Sequence, residues 1–235
     1  MDDETGTLVA AARQRMSEQW APNRFLDLLE AGEVPQRHLR VLAGELYRLV
    51  SSDRRSFALL ASRFPAAPAG DLFLAMAQGE AEALRLLLDF ASALGMDEGD
   101  LAAYEPRPLA QAYPAFLTQT AVHGSRSDIA LALLANAAES GAQYTRVADA
   151  LCRGYGLDDR AVGHFRFFAD TPQELLDRAA QVLRSGLAAG DDPTEAVRTA
   201  RMVHAYELAF WRALAEDIVR GRGSAGHPLA VKAGR

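Results

Sequence analysis

Lysine is almost missing from this chain of 235 residues: its only lysine is Lys232, and every other basic side chain of the 25 is arginine. Without an internal lysine there is no amine for a Schiff base, which excludes pyridoxal-phosphate and aldolase-type imine chemistry. Cysteine occurs once, at Cys152, so no internal disulfide can form, as expected of a cytoplasmic protein. No apolar run approaches the roughly 18–20 residues that cross a bilayer, and the acidic start Met1-Asp2-Asp3-Glu4 is unlike a secretory leader. Positive charge is neither in excess nor clustered. The net charge is −6 and no basic stripe is interleaved with aromatics, which argues against nucleic-acid binding. Glycine-rich phosphate loops are absent. Valine, isoleucine and threonine are sparse and nowhere alternate with polar residues, so strands are not expected.

What remains is helix after helix. The pattern predicts a first helix from Thr7 to Trp20, stopped by Pro22, and a short amphipathic piece from Phe25 to Ala31. Pro35 then opens a long helix to Arg63, with apolar positions at Leu39, Leu42, Leu46 and Leu49. Asp71 is expected to cap a helix through Leu94, closed by Gly95. An irregular stretch over 97–108 leads to a helix from Leu109 to Val122. Ser127 or Asp128 caps the next, which runs to Cys152. A short helix after Asp158-Asp159 carries His164-Phe165-Arg166-Phe167-Phe168. Thr171-Pro172-Gln173-Glu174 reads as a capping box, and Asp192-Pro193 begins a last long helix through Val219. The reading is all-α: one multi-helix domain over 1–220 and a disordered tail over 221–235, rich in glycine, alanine and arginine.

Metal chemistry finds little support in the pattern. Bundle sites use Glu-x-x-His pairs on facing helices; here His204 and Glu207 share a face, but no matching pair follows on the 71–94 or 128–152 segments. No metal and no cofactor is expected. His164 and His204 are the only plausible haem ligands, and Cys152, near a helix C-terminus, reads as a small buried hydrophobe rather than a thiolate.

Carboxylates in apolar surroundings are the better candidates for chemistry. In Tyr206-Glu207-Leu208-Ala209-Phe210-Trp211, a glutamate sits one turn before an aromatic pair, where desolvation raises a carboxyl pKa and fits it for proton transfer. Glu45 and Tyr47 fall mid-helix among leucines. Glu139 and Asn136 interrupt a run of small apolar residues and face either solvent or a cavity. Glu80 and Glu82 read as surface partners of Arg85, and Asp53-Arg54-Arg55 as a solvated face.

These residues resemble the TenA/THI-4 and PQQ-synthesis-protein C superfamily, whose fold is the haem-oxygenase-like helical bundle. Glu207 with Phe210-Trp211 is similar to that family's Glu-x-x-Phe-Trp signature. The segment Phe25-Leu26 to Gly32, then Pro35 and its helix, resembles the family's N-terminal half, with Glu45 standing where TenA proteins carry an aspartate that binds an aminopyrimidine. The helix holding Tyr144 resembles the one that bears the TenA nucleophilic cysteine, but this chain offers Glu139-Ser140 near that point. The resemblance therefore implies a cysteine-free, metal-free hydrolase of an aminopyrimidine or related heteroaromatic. Glu207 is its expected acid/base and Glu139 its expected assistant. Glu45 would bind the ligand's amine or amidine, with Tyr47, Tyr144, Phe168, His204, Tyr206 and Phe210 around the small-molecule substrate. Alternatives are an oxidase, either cofactor-free or with iron on Glu139, His204 and Glu207, and a binding protein that has lost its chemistry. Relatives often assemble as dimers or tetramers, so a homo-oligomer is expected, with no nucleic-acid or membrane partner.

Overall fold

Several helix boundaries have a local cause. The computed structural model describes residues 3–19 and 21–225, and among them finds ten helices and no strand. The helices are α1 (Asp3–Ser17), α2 (Arg24–Glu30), α3 (Gln36–Arg63), α4 (Ala69–Ala93) and α5 (Glu98–Ala103), then α6 (Ala112–His123), α7 (Arg126–Tyr155), α8 (Gly163–Ala169), α9 (Gln173–Ala188) and α10 (Pro193–Ala225). Asn23 caps α2 by accepting from the Leu26 amide. Ser125, not Ser127 or Asp128, caps α7, and Asp128 closes the reciprocal box by accepting from the Ser125 amide at 2.8 Å. Gly156 ends α7 at φ +66°, in the left-handed region that glycine enters at no steric cost.

Four expectations are corrected. Asp71 lies in the first turn of α4, with Pro68 at the cap. Pro172 occupies the cap of α9 without a side-chain bond, so Thr171-Pro172-Gln173-Glu174 is not a capping box. The stretch 97–108 contains α5, held by an Asp97–Asp100 capping box. Residues 221–225 continue α10 instead of opening a tail, while 226–235 and Trp20 lie outside the described residues.

The packed core comes in two parts, and the long helices span both. One part joins α2, the N-terminal half of α3 around Leu42 and Leu46, and the C-terminal halves of α4, α7 and α10 around Phe90, Leu151 and Trp211. The other joins α1, α6 and α9 with the opposite halves: Phe57 and Leu60 of α3, Leu72 and Phe73 of α4, Leu131 and Ala135 of α7, Ala200 and Val203 of α10. On each of the four long helices a gap separates the two sets. Asp53, Glu80, Ser140 and Glu207 fall in those gaps.

Candidate active site

The gaps enclose a cavity. Its two lobes, about 100 Å³ and about 170 Å³, share Asp53, Glu80, Tyr113, Ser140, Phe168 and Glu207. Tyr144, Phe210, Trp211 and Leu49 complete the smaller lobe, and Asn136, Phe57, Met76 and Leu133 are among those that complete the larger. The walls are aromatic: Tyr144 lies 5.2 Å from Phe168 and 6.1 Å from Trp211 between ring centroids, and Phe210 meets Trp211 edge-on at 5.2 Å. Gly141 allows this closure, because a Cβ there would stand 2.7 Å from the Ala169 carbonyl oxygen. The end of α8, with Phe168, therefore rests directly on α7.

Three carboxylates and no basic side chain line this space. Glu207 accepts a 3.0 Å hydrogen bond from Ser140 Oγ. Its carboxyl is pushed from an ordinary 4.5 up to about 7, chiefly by desolvation, with the Ser140 bond acting downward. Asp53 is 3% exposed, and burial together with the nearby Glu80 carboxyl holds its pKa well above the usual range. Glu80 is pushed to about 8 by desolvation. Asp53 Oδ1 and Glu80 Oε2 are buried with no hydrogen-bond partner among the described residues, and so are Asn136 Oδ1 and the indole nitrogen of Trp211. A buried polar atom left unpaired is costly. All four atoms belong to residues that line this one cavity, where a polar ligand could meet them. Tyr113 and Tyr144 are raised as well, first by desolvation, and stay neutral.

Glu45 is not in this cavity. It is fully buried two turns up α3, where Tyr104 Oη donates to Oε1 at 2.7 Å, the Arg107 amide donates to the same oxygen at 2.8 Å, and Gln111 Nε2 donates to Oε2 at 2.5 Å. Gly44 makes room for the Tyr104 ring, which occupies the space a Cβ would take. Glu45 thus pins the α5–α6 connection to α3 and does not line the cavity; the carboxylate that α3 presents there is Asp53, which had read as part of a solvated face. Glu139 is exposed, turned about 100° away from Ser140 by the helix. Its Oε2 lies 3.9 Å from His204 Nδ1. His204 is buried, its pKa lowered by desolvation against the pull of Glu139, and it does not line the cavity. Tyr47 packs on the first core and Tyr206 on Phe116, both outside the lining. Glu139 and His204 lie outside the cavity that Glu207 lines, and no group of three His, Cys, Asp or Glu side chains suited to a metal ion occurs among the described residues. His164, the other haem candidate, is buried against Tyr144 and Phe168; its Nδ1 lies 2.9 Å from the Ala83 carbonyl oxygen and burial lowers its pKa to about 4.

Asp53 was missed from the sequence because Arg54-Arg55 follow it, and Glu80 because it was read, with Glu82, as a partner of Arg85. Glu82 does pair with Arg85, at 2.6 Å. Glu80, two residues earlier, points about 200° away. No signal in a single sequence separates the two.

The TENA/THI-4/PQQC family model matches residues 22–216, which cover the whole cavity. The chain belongs to this family. Solved structures share its haem-oxygenase-like fold at low identity. A TenA homologue from P. horikoshii OT3 is 18% identical with a TM-score of 0.66, covering 89% of this chain and 98% of its own. A domain of unknown function with a haem-oxygenase-like fold from Shewanella denitrificans OS217 is 14% identical with a TM-score of 0.67, covering 94% and 90%. A putative TenA-like thiaminase from Sulfolobus solfataricus P2 is 12% identical with a TM-score of 0.52, covering 92% and 95%. No curated protein matches the chain significantly. Among the described residues, no helix is long and apolar enough to cross a membrane.

Proposed function

We propose that this TenA-family chain is a hydrolase that removes an exocyclic amine from a small basic aminopyrimidine, without a cysteine nucleophile. The observation that carries the reading is the cavity lining: the buried Asp53 and the half-buried Glu80 and Glu207, aromatic walls and no basic residue. Such a site offers nothing to an anion and suits a planar base: acids that hold their protons can pass one to the ring, and the resulting cation is attracted by carboxylate and aromatic faces alike. Asp53 and Glu80 would take the ring's amidine face, where their unpartnered oxygens gain donors.

Glu207 would move the protons. Poised near neutrality, it can give a proton to the amine nitrogen as the carbon–nitrogen bond breaks. As a carboxylate it then takes a proton from the water whose oxygen bonds to the same carbon. The products are the hydroxymethyl compound and ammonia, and Glu207 ends as it began. Ser140 would fix the orientation of the Glu207 carboxyl throughout.

The test is ammonia release from 4-amino-5-(aminomethyl)pyrimidine by the purified protein and its Glu207→Gln variant. Turnover by the wild type and a loss of at least about a hundredfold in the variant is expected. Absence of turnover, or turnover indifferent to the substitution, overturns the assignment.

A further inference from the structure

The cavity has a neighbour. A pocket of about 450 Å³ lies between α4, α7 and the α8–α9 connection, and shares Met76, Glu80, Leu133, Phe168 and Thr171 with the larger lobe of the inner cavity. The two spaces therefore meet across Glu80 and the ring of Phe168. Resting on the proposed reading of the inner site, we propose that the outer pocket is a second subsite, which binds an uncharged, apolar arm attached to the basic ring.

Size, lining and charge agree on that occupant. The two inner lobes, about 100 Å³ and about 170 Å³, together stay below the roughly 300 Å³ where ligand pockets usually begin and suit a single ring. The outer pocket can take a group at least as large again. Its lining is mostly apolar, from Ala75, Met76, Leu133, Phe167 and Leu175, and Phe167 is 38% exposed beside it. Phe167 and Phe168 stand edge-on at 5.2 Å and offer an aromatic corner to a flat substituent. An anionic tail is disfavoured: Glu80, Asp170 and Glu174 line the pocket, and its one cation, Arg178, is already bonded by Glu174. A phosphorylated arm would meet Asp170 and the Glu174–Arg178 pair, and no uncommitted base. The substrate class becomes a basic heteroaromatic carrying a neutral apolar substituent on its exocyclic nitrogen.

Gly79 gives a way to fill the outer pocket alone. It lines the outer pocket and neither inner lobe, and a Cβ there would meet only Phe167, at an ordinary 3.7 Å. Replacement of a helical glycine also raises helix propensity, so Gly79→Leu is expected to fold, with Gly79→Ala as its unfilled control. Affinities are measured for the bare amine, 4-amino-5-(aminomethyl)pyrimidine, and for its N-benzyl derivative. The benzyl compound is expected to bind wild type and Gly79→Ala at least about tenfold more tightly than the bare amine. Gly79→Leu is expected to abolish that advantage and leave the bare amine unchanged. Equal affinities in wild type, or an advantage that survives Gly79→Leu, overturn the subsite. If the bare amine fails to bind at all, the proposed function falls, and neutral N-benzylacetamide decides the subsite by ligand-observed NMR. A saturation-transfer signal lost in Gly79→Leu supports it, and no wild-type signal overturns it.

Discussion

Ser140 Oγ reaches Glu207 Oε1 across 3.0 Å, and this bond ties α7 to α10 at the level where both helices leave one core and have not yet joined the other. It is the one side-chain contact that lowers the Glu207 pKa against burial and the nearby Glu139 charge. Ser140→Ala is therefore expected to raise that pKa above about 7 and to move the matching limb of the pH–rate profile upward, with kcat reduced by about tenfold. Loss of all turnover at every pH would instead make Ser140 the nucleophile.

Burial of Glu207 costs stability at high pH. The folded state holds its proton up to about 7, whereas the unfolded chain releases it near 4.5, so the folded state binds the extra proton between those values. Stability from this group is full below about 4.5 and is lost as pH rises toward about 7. Glu207→Gln removes that loss and keeps an oxygen for Ser140 to donate to. The variant is expected to be more stable than wild type by up to about 3 kcal/mol at about pH 8, the gap closing toward about pH 5, as read from urea midpoints. A constant gap across pH would refute the buried-acid account.

Asp53→Asn and Glu80→Gln are expected to act on binding more than on the chemical step. Asp53→Asn should raise KM for the aminopyrimidine by about a hundredfold. Glu80→Gln removes the charge that pushes the Asp53 pKa upward. Binding in that variant should therefore persist to lower pH than in wild type, which titration calorimetry across pH would register.

Glu45 is expected to serve the fold alone. Glu45→Ala removes the acceptor of three hydrogen bonds, from the Tyr104 hydroxyl, the Arg107 amide and the Gln111 amide group. A loss of about 3 kcal/mol follows from three hydrogen bonds removed together at a buried position. The kcat of the protein that remains folded should be unchanged. A selective loss of substrate binding would return Glu45 to the site.

Glu139→Ala should change kcat and KM by less than about twofold, because an exposed carboxylate that faces away from the cavity touches neither water nor ligand there. A large kinetic effect would show that the Glu139–His204 contact matters to Glu207.

Helical class, most helix boundaries and the Glu207-Phe210-Trp211 element were legible in the chain, because apolar period, prolines, glycines and caps are local properties. The level of the cavity along each helix was not. Glu45 and Asp53 lie eight residues apart, about 12 Å of helix. Both are buried on α3, yet one ends in a knot of donors from the α5–α6 connection and the other in a cavity. Glu139 and Ser140, or Glu80 and Glu82, differ by a rotation that helical phase measures only against the helices packed beside them. The sequence by itself determined that helices form and which chemistry their acids could do. Only the packing of α3, α4, α7 and α10, with its two cores and the gap between them, decided which acids lose their water and meet, since desolvation depends on every neighbour at once.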